Sequence, residues 1–134
     1  MHKLERGLSG RSAMQVTDDK TALAYGSGGV EAFATPAMIG LMENAAVKAV
    51  DPLLSEGYGT VGTRLDVRHM AATPKGLRVF AEAKLIEIKG KRLVFEIAAF
   101  DEVERIGEGI HERFVIEKES FLKKIEEKRK TDRE

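Results

Sequence analysis

An α+β fold, with an antiparallel sheet wrapped around one long central helix, is predicted by three features of the sequence. A single apolar helical segment follows residue 35. Four segments with strand periodicity then succeed one another after Gly57. No second apolar helix is available, so the one helix must cover the inner face of the sheet. The 134 residues, 43% hydrophobic and 33% charged, suit a single domain, 1–134, with room for a real core.

The elements follow in order. Residues 1–10 carry no clear pattern and are expected as a loose N-terminus. Between 11 and 25 (RSAMQVTDDKTALAY), two short strand-like pieces flank the turn residues Thr17, Asp18 and Asp19, and Gly26-Ser27-Gly28-Gly29 follows as a loop. Thr35 is placed as the N-cap of the helix and Pro36 at its first position, where a missing N–H does no harm. Asp51-Pro52 ends it, because the residue before proline avoids helical geometry. Met38, Ile39, Leu41, Met42, Ala45, Ala46, Ala49 and Val50 cover most of the circumference, which predicts a buried helix roughly 22 Å long.

In 61–69 the odd positions are apolar or small and alternate with Arg64, Asp66 and Arg68, so the odd side chains should face the core. Segments 77–88 and 92–100 are two more strands, joined through Lys89-Gly90-Lys91, and 106–116 is the last. Residues 119–134 alternate charges at helical spacing around Phe121, Leu122 and Ile125 and read as a solvated C-terminal helix or tail. Five or six antiparallel strands leave open edges, and a second copy is the natural cover, so a homodimer is expected.

Composition removes several classes of function. With no cysteine there is no disulfide, thiolate nucleophile or cysteine metal site. The 22 basic and 22 acidic residues cancel, so no overall field draws the chain to nucleic acid or an anionic membrane. No apolar run approaches the roughly 20 residues that cross a bilayer, and the polar start lacks a signal-peptide core, so the expected location is the cytoplasm.

The polar residues that break the apolar pattern are then the candidates. Glu43 has Ile39, Gly40, Ala46 and Val47 as its helical neighbours, and a carboxylate desolvated there is a candidate base or nucleophile; alternatively it shares a wet stripe with Asn44 and Lys48. His69 continues the inward face of its strand, which is the usual place of a core histidine but also aims a titratable group at the helix. Thr35 lies eight residues before Glu43, about 12 Å along the axis, too far for a direct bond within one copy. Cooperation between them would cross a dimer interface.

Ala34-Thr35-Pro36, Gly40-Leu41-Met42-Glu43, Gly62-Thr63, Val67-Arg68-His69-Met70-Ala71-Ala72-Thr73-Pro74-Lys75-Gly76 and Gly109-Ile110-His111-Glu112-Arg113 together resemble the fluoroacetyl-CoA thioesterase-like family of hotdog-fold proteins, over about residues 30–120. The resemblance implies a hotdog dimer that hydrolyses a short-chain acyl-CoA thioester, with no metal and no cofactor beyond the CoA of the substrate. It implies Thr35, Glu43 and His69 as catalytic residues: the carboxylate as nucleophile or base, the histidine as its acid/base partner and the threonine orienting the carboxylate. Gly62 would lie against the acyl group.

Phe33 and Arg113 are further candidates for substrate binding, although an Arg-Glu pair on a strand is usually a surface ion pair. Arg64, Arg68, Lys75 and Arg78 are candidates for the CoA phosphates because they cluster near the active strand. Members specialised for the fluorinated substrate are expected to carry aromatic residues before the helix, where this chain has Tyr25-Gly26-Ser27-Gly28-Gly29-Val30 and then Phe33. The other readings are a non-catalytic acyl-CoA-binding module and a hydroxyacyl-thioester dehydratase.

Overall fold

The computed structural model describes residues 2–131. In chain order the elements are β1 (Ser9–Gln15), α1 (Ala22–Tyr25), α2 (Thr35–Val50), β2 (Tyr58–His69), β3 (Arg78–Lys89), β4 (Arg92–Asp101), β5 (Arg105–Glu117) and α3 (Lys118–Thr131). Single 3-10 turns at Asp18–Lys20 and Asp51–Leu53 precede α1 and follow α2. The five strands form one antiparallel sheet in the order β1-β3-β4-β5-β2.

The helix α2 begins after an extended Ala34, carries Pro36 in its first turn and gives way at Asp51 to the 3-10 turn. Ala37, Met38, Leu41, Met42, Ala45, Ala46, Ala49 and Val50 are buried. They meet Val79, Ala81, Ala83, Leu85, Phe95 and Ile97 from the sheet. Burying one large side chain of this kind stabilises by about 1.5–3 kcal/mol, so this layer dominates the fold.

The helix packs chiefly on β1 and β3. The close approach is made possible by Gly10, where a Cβ would strike the carbonyl oxygen of Ala45 and lie 2.6 Å from the amide nitrogen of Ala49. Both are helix backbone and cannot step aside. Gly10→Ala is therefore expected to destabilise by about 1–3 kcal/mol, read from the midpoint of urea unfolding. An unchanged midpoint would contradict this packing.

Because α2 leans toward β1 and β3, one stripe of it stays open. Ile39, Glu43 and Val47 are half-buried, and Gly40 and Asn44 are exposed. The buried helix expected from the sequence thus holds over most of its circumference, and the wet stripe of Glu43, Asn44 and Lys48 is its open side. The inner face of β2 is left correspondingly open, with Leu65 39% exposed.

The predicted strands at 61–69, 77–88, 92–100 and 106–116 are found with small extensions. The β3–β4 hairpin turns at Gly90, whose φ of 61° suits glycine. A second strand before the helix does not form. Thr21 instead accepts a hydrogen bond from the Ala24 amide as N-cap of α1, and Gly26 ends that helix at φ 72°. Residues 2–8 have no regular element, yet Lys3 and Gly7 donate to the carbonyls of Leu53 and Leu85, and Leu4 and Leu8 pack on the core. Of the charged C-terminal segment, 118–131 is helical, and 132–134 lie outside the described residues.

β2 is an edge strand of twelve residues without proline. Gly62 lies opposite Arg113 and Arg64 opposite Glu112, so Thr63 is the extra residue of a β-bulge. The bulge reverses the side-chain alternation. Gly62 before it and Leu65, Val67 and His69 after it all face the helix, while Thr63 turns out to bond the Glu112 carbonyl.

Candidate active site

Two clusters of polar side chains lie on the helix-facing side of the sheet. The first is at the N-terminus of α2. Thr35 is the first residue of the helix and makes no capping bond; its hydroxyl is 2.7 Å from Nδ1 of His69, the last residue of β2. A tertiary partner has displaced the local N-cap role expected for it. The loop after His69 is pinned from both sides. The Phe33 amide donates to the Thr73 carbonyl, Pro74 bridges Ala32, and the buried Thr73 hydroxyl donates to Asp101.

Nε2 of His69 is buried and, among the described residues, is the side-chain atom left without a hydrogen-bond partner. Burial lowers the pKa of His69 from the ordinary 6.5, against a smaller opposite pull from the nearby Ala71 backbone. The imidazole is thus favoured neutral, with Nδ1 at the Thr35 hydroxyl.

The second cluster centres on Glu43. Its carboxylate lies 3.6 Å from Nη1 of Arg113, whose side chain is 7% exposed against 37% for Glu43. Arg113 is gripped from behind: Nε donates to the Thr60 hydroxyl at 2.8 Å and Nη2 to the Thr60 carbonyl at 3.0 Å. The Thr60 hydroxyl donates in turn to Asp51, just past the end of α2. Nη1 also lies 3.1 Å from Nε2 of the fully buried His111. Gly62 completes the cluster, since a Cβ there would lie 2.6 Å from Oε2 of Glu43. Only a residue without a side chain leaves that carboxylate in place.

Arg113 is therefore an inward, buried cation, not the surface ion pair that alternation along β5 suggested. Glu112 takes the outer role, 3.0 Å from Arg64. Phe33 is 2% exposed and belongs to the core beneath the first cluster. Of the cations considered for CoA phosphates, Arg64, Arg68 and Lys75 are each tied into ion pairs. Asp51 and Thr60 escaped the sequence reading as site residues, and His111 entered it only within the motif Gly109-Ile110-His111-Glu112-Arg113, without a stated role. Gly62 inside a strand pattern was the available signal, because such a glycine marks a bulge.

The two clusters do not meet within one copy. Thr35 and Glu43 are eight residues apart on α2, about 12 Å. His69 and Gly62 are seven apart on β2, about 20 Å. Among the described residues no group of three His, Asp or Glu side chains converges as metal ligands do, and no helix is long and apolar enough to cross a membrane.

The buried histidines make stability depend on pH. Burial lowers the pKa of both His69 and His111 below 6.5, with Arg113 adding to the effect at His111. Below 6.5 the unfolded chain takes up protons that the folded chain refuses, so this stability is present above 6.5 and is lost as pH falls through the folded values. The urea midpoint is expected to fall between pH 7 and 5; a flat profile contradicts buried neutral imidazoles.

Known proteins share this arrangement of chain and fold. The family described as fluoroacetyl-CoA-specific thioesterase matches residues 16–119. The fluoroacetyl-CoA thioesterase of Streptantibioticus cattleyicolor is 48% identical over 98 residues, 73% of this chain and 70% of that protein. A variant of a fluoroacetyl-CoA thioesterase solved with acetyl-CoA superposes with a TM-score of 0.87 at 38% identity, covering 93% of this chain and 98% of that one. A hot-dog-like protein of Thermanaerovibrio acidaminovorans superposes at 0.84 with 26% identity and 93% of both chains. With the family matched across both site clusters and the sheet that carries them, this hotdog chain belongs to the fluoroacetyl-CoA-specific thioesterase family.

Proposed function

We propose that the protein hydrolyses a short-chain acyl-CoA thioester to the free acid and CoA, at sites each built from Thr35 and His69 of one copy and Glu43 of another. The observation that carries this reading is the Glu43 carboxylate, held by a buried arginine beside a glycine on the open stripe of α2. The activity itself is supported by relatives that act on fluoroacetyl-CoA and bind acetyl-CoA. The dimer is supported by the long, proline-free edge of β2. Antiparallel pairing of β2 with its copy, about a two-fold axis between Leu65 and Asp66, sets Gly62 of one copy beside His69 of the other. The two clusters then face one substrate.

In that site Glu43 removes a proton from water while the water oxygen bonds to the thioester carbonyl carbon. The Thr35 hydroxyl donates to Nδ1 of His69, which leaves Nε2–H as a neutral donor to the carbonyl oxygen as charge develops there. Collapse of the tetrahedral intermediate breaks the C–S bond, and the CoA sulfur leaves with the proton from Glu43. The same carboxylate attacking directly would form an anhydride that water then opens. In the segment before α2 the aromatic Tyr25 is exposed and Phe33 is buried in the core, which supports an acyl preference that extends to unfluorinated short chains.

The test is thiol release from acetyl-, fluoroacetyl-, propionyl-, butyryl- and phenylacetyl-CoA. Turnover of the short-chain members is expected. Binding of these compounds without thiol release would favour the non-catalytic acyl-CoA-binding module, and hydration or dehydration of hydroxyacyl-CoA without hydrolysis would favour the dehydratase.

A further inference from the structure

We infer that His111 is the positioning residue that aims Arg113 at Glu43. The inference rests on the reading of Glu43 as the reacting carboxylate.

The hydrogen-bonding roles around His111 are forced by chemistry. Its Nδ1 lies 2.9 Å from the carbonyl oxygen of Arg64, which can only accept, so the proton sits on Nδ1. Its Nε2 lies 3.1 Å from Nη1 of Arg113, which can only donate, so Nε2 presents a lone pair. A ring fully buried against Phe95, at 6.0 Å between centroids, has no room to flip and no water to substitute for either partner.

The grip matters because of what the rest of Arg113 does. Thr60 takes Nε and Nη2, which fixes the back of the guanidinium. Nη1 alone reaches toward the helix, and at 3.6 Å it is too far from Glu43 for a direct hydrogen bond to hold it there. The bond to His111 supplies that orientation. The same ring holds the carbonyl of Arg64, the first residue after the bulged Thr63, so it also braces the bulge that turns Gly62 toward Glu43. One imidazole thereby sets both the cation and the glycine that border the carboxylate.

Two experiments on the full-length wild-type chain and its variants test this. In 15N-histidine-labelled protein, His111 is expected as the neutral Nδ1–H tautomer at pH 7; an Nε2–H or doubly protonated ring overturns the inference without any variant. In kinetics with the best acyl-CoA of the panel, H111L is expected to lower kcat about tenfold or more while KM moves less than about twofold. H111Q, whose amide can donate to Arg64 and accept from Arg113, should recover kcat to within about threefold of wild type. In an E43Q background, H111L should cost nothing further. Wild-type kcat in H111L, or an H111Q as impaired as H111L at equal melting temperature, overturns the inference. If H111L does not fold, H111Q and the tautomer decide. A wild-type protein without turnover would sink the reading of Glu43 instead, and the tautomer would still report on the contact with Arg113.

Discussion

Glu43→Gln is expected to lower kcat on the preferred acyl-CoA by about 10³-fold, within the range of losses for a positioned base or nucleophile. The amide keeps the shape of the side chain but can neither take a proton from water nor attack a carbonyl. Folding should survive, because Arg113 retains both bonds to Thr60 and its contact with His111. Glu43 is itself 37% exposed and at 3.6 Å makes no direct hydrogen bond to Arg113, so the neutral amide should cost little stability. KM should change little, since the carboxylate acts on the reacting atoms more than on CoA. A variant with unimpaired kcat would remove Glu43 from the chemistry.

His69→Gln is expected to cost about 10²-fold in kcat. The buried Nε2 has no hydrogen-bond partner within its own copy, and Thr35 at Nδ1 holds the ring. Glutamine can still bond Thr35, but its longer, flexible amide does not hold a donor in the same place. The loss should appear in kcat. A variant that binds substrate poorly at normal kcat would make His69 a binding residue only.

Much of this was legible because local rules and global fold agree. Pro36 and Asp51-Pro52 bracket α2, the period of two runs through β3 and β4, and Gly90 turns the β3–β4 hairpin. Where the reading failed, a competing interaction had won. Thr21 and Gly26 cap a one-turn helix around alanine and leucine, residues that suit helix better than the strand expected there. Thr35 has the chemistry of an N-cap, yet its hydroxyl is spent on His69, a partner 34 residues away that no local pattern reveals.

Which face of β5 is inner stayed open for a related reason. Alternation along one strand says which residues share a face but not which face is inner, and the ion pair Arg64–Glu112 shows that the charged pair lies on the outside. The bulge at Thr63 then lets Gly62 and His69, of opposite parity, face the same helix. Counting odd and even positions cannot find that.

The central claim is that each site is shared between two copies. Mixing the inactive Glu43→Gln and His69→Gln proteins under conditions that exchange subunits tests it most directly. Half of the dimers formed are then mixed, and each mixed dimer holds one site with an intact Thr35, His69 and Glu43, so thiol release should return to about a quarter of the wild-type rate. If subunits exchange and the rate stays at that of the inactive parents, the three residues act within a single copy and the shared site is wrong.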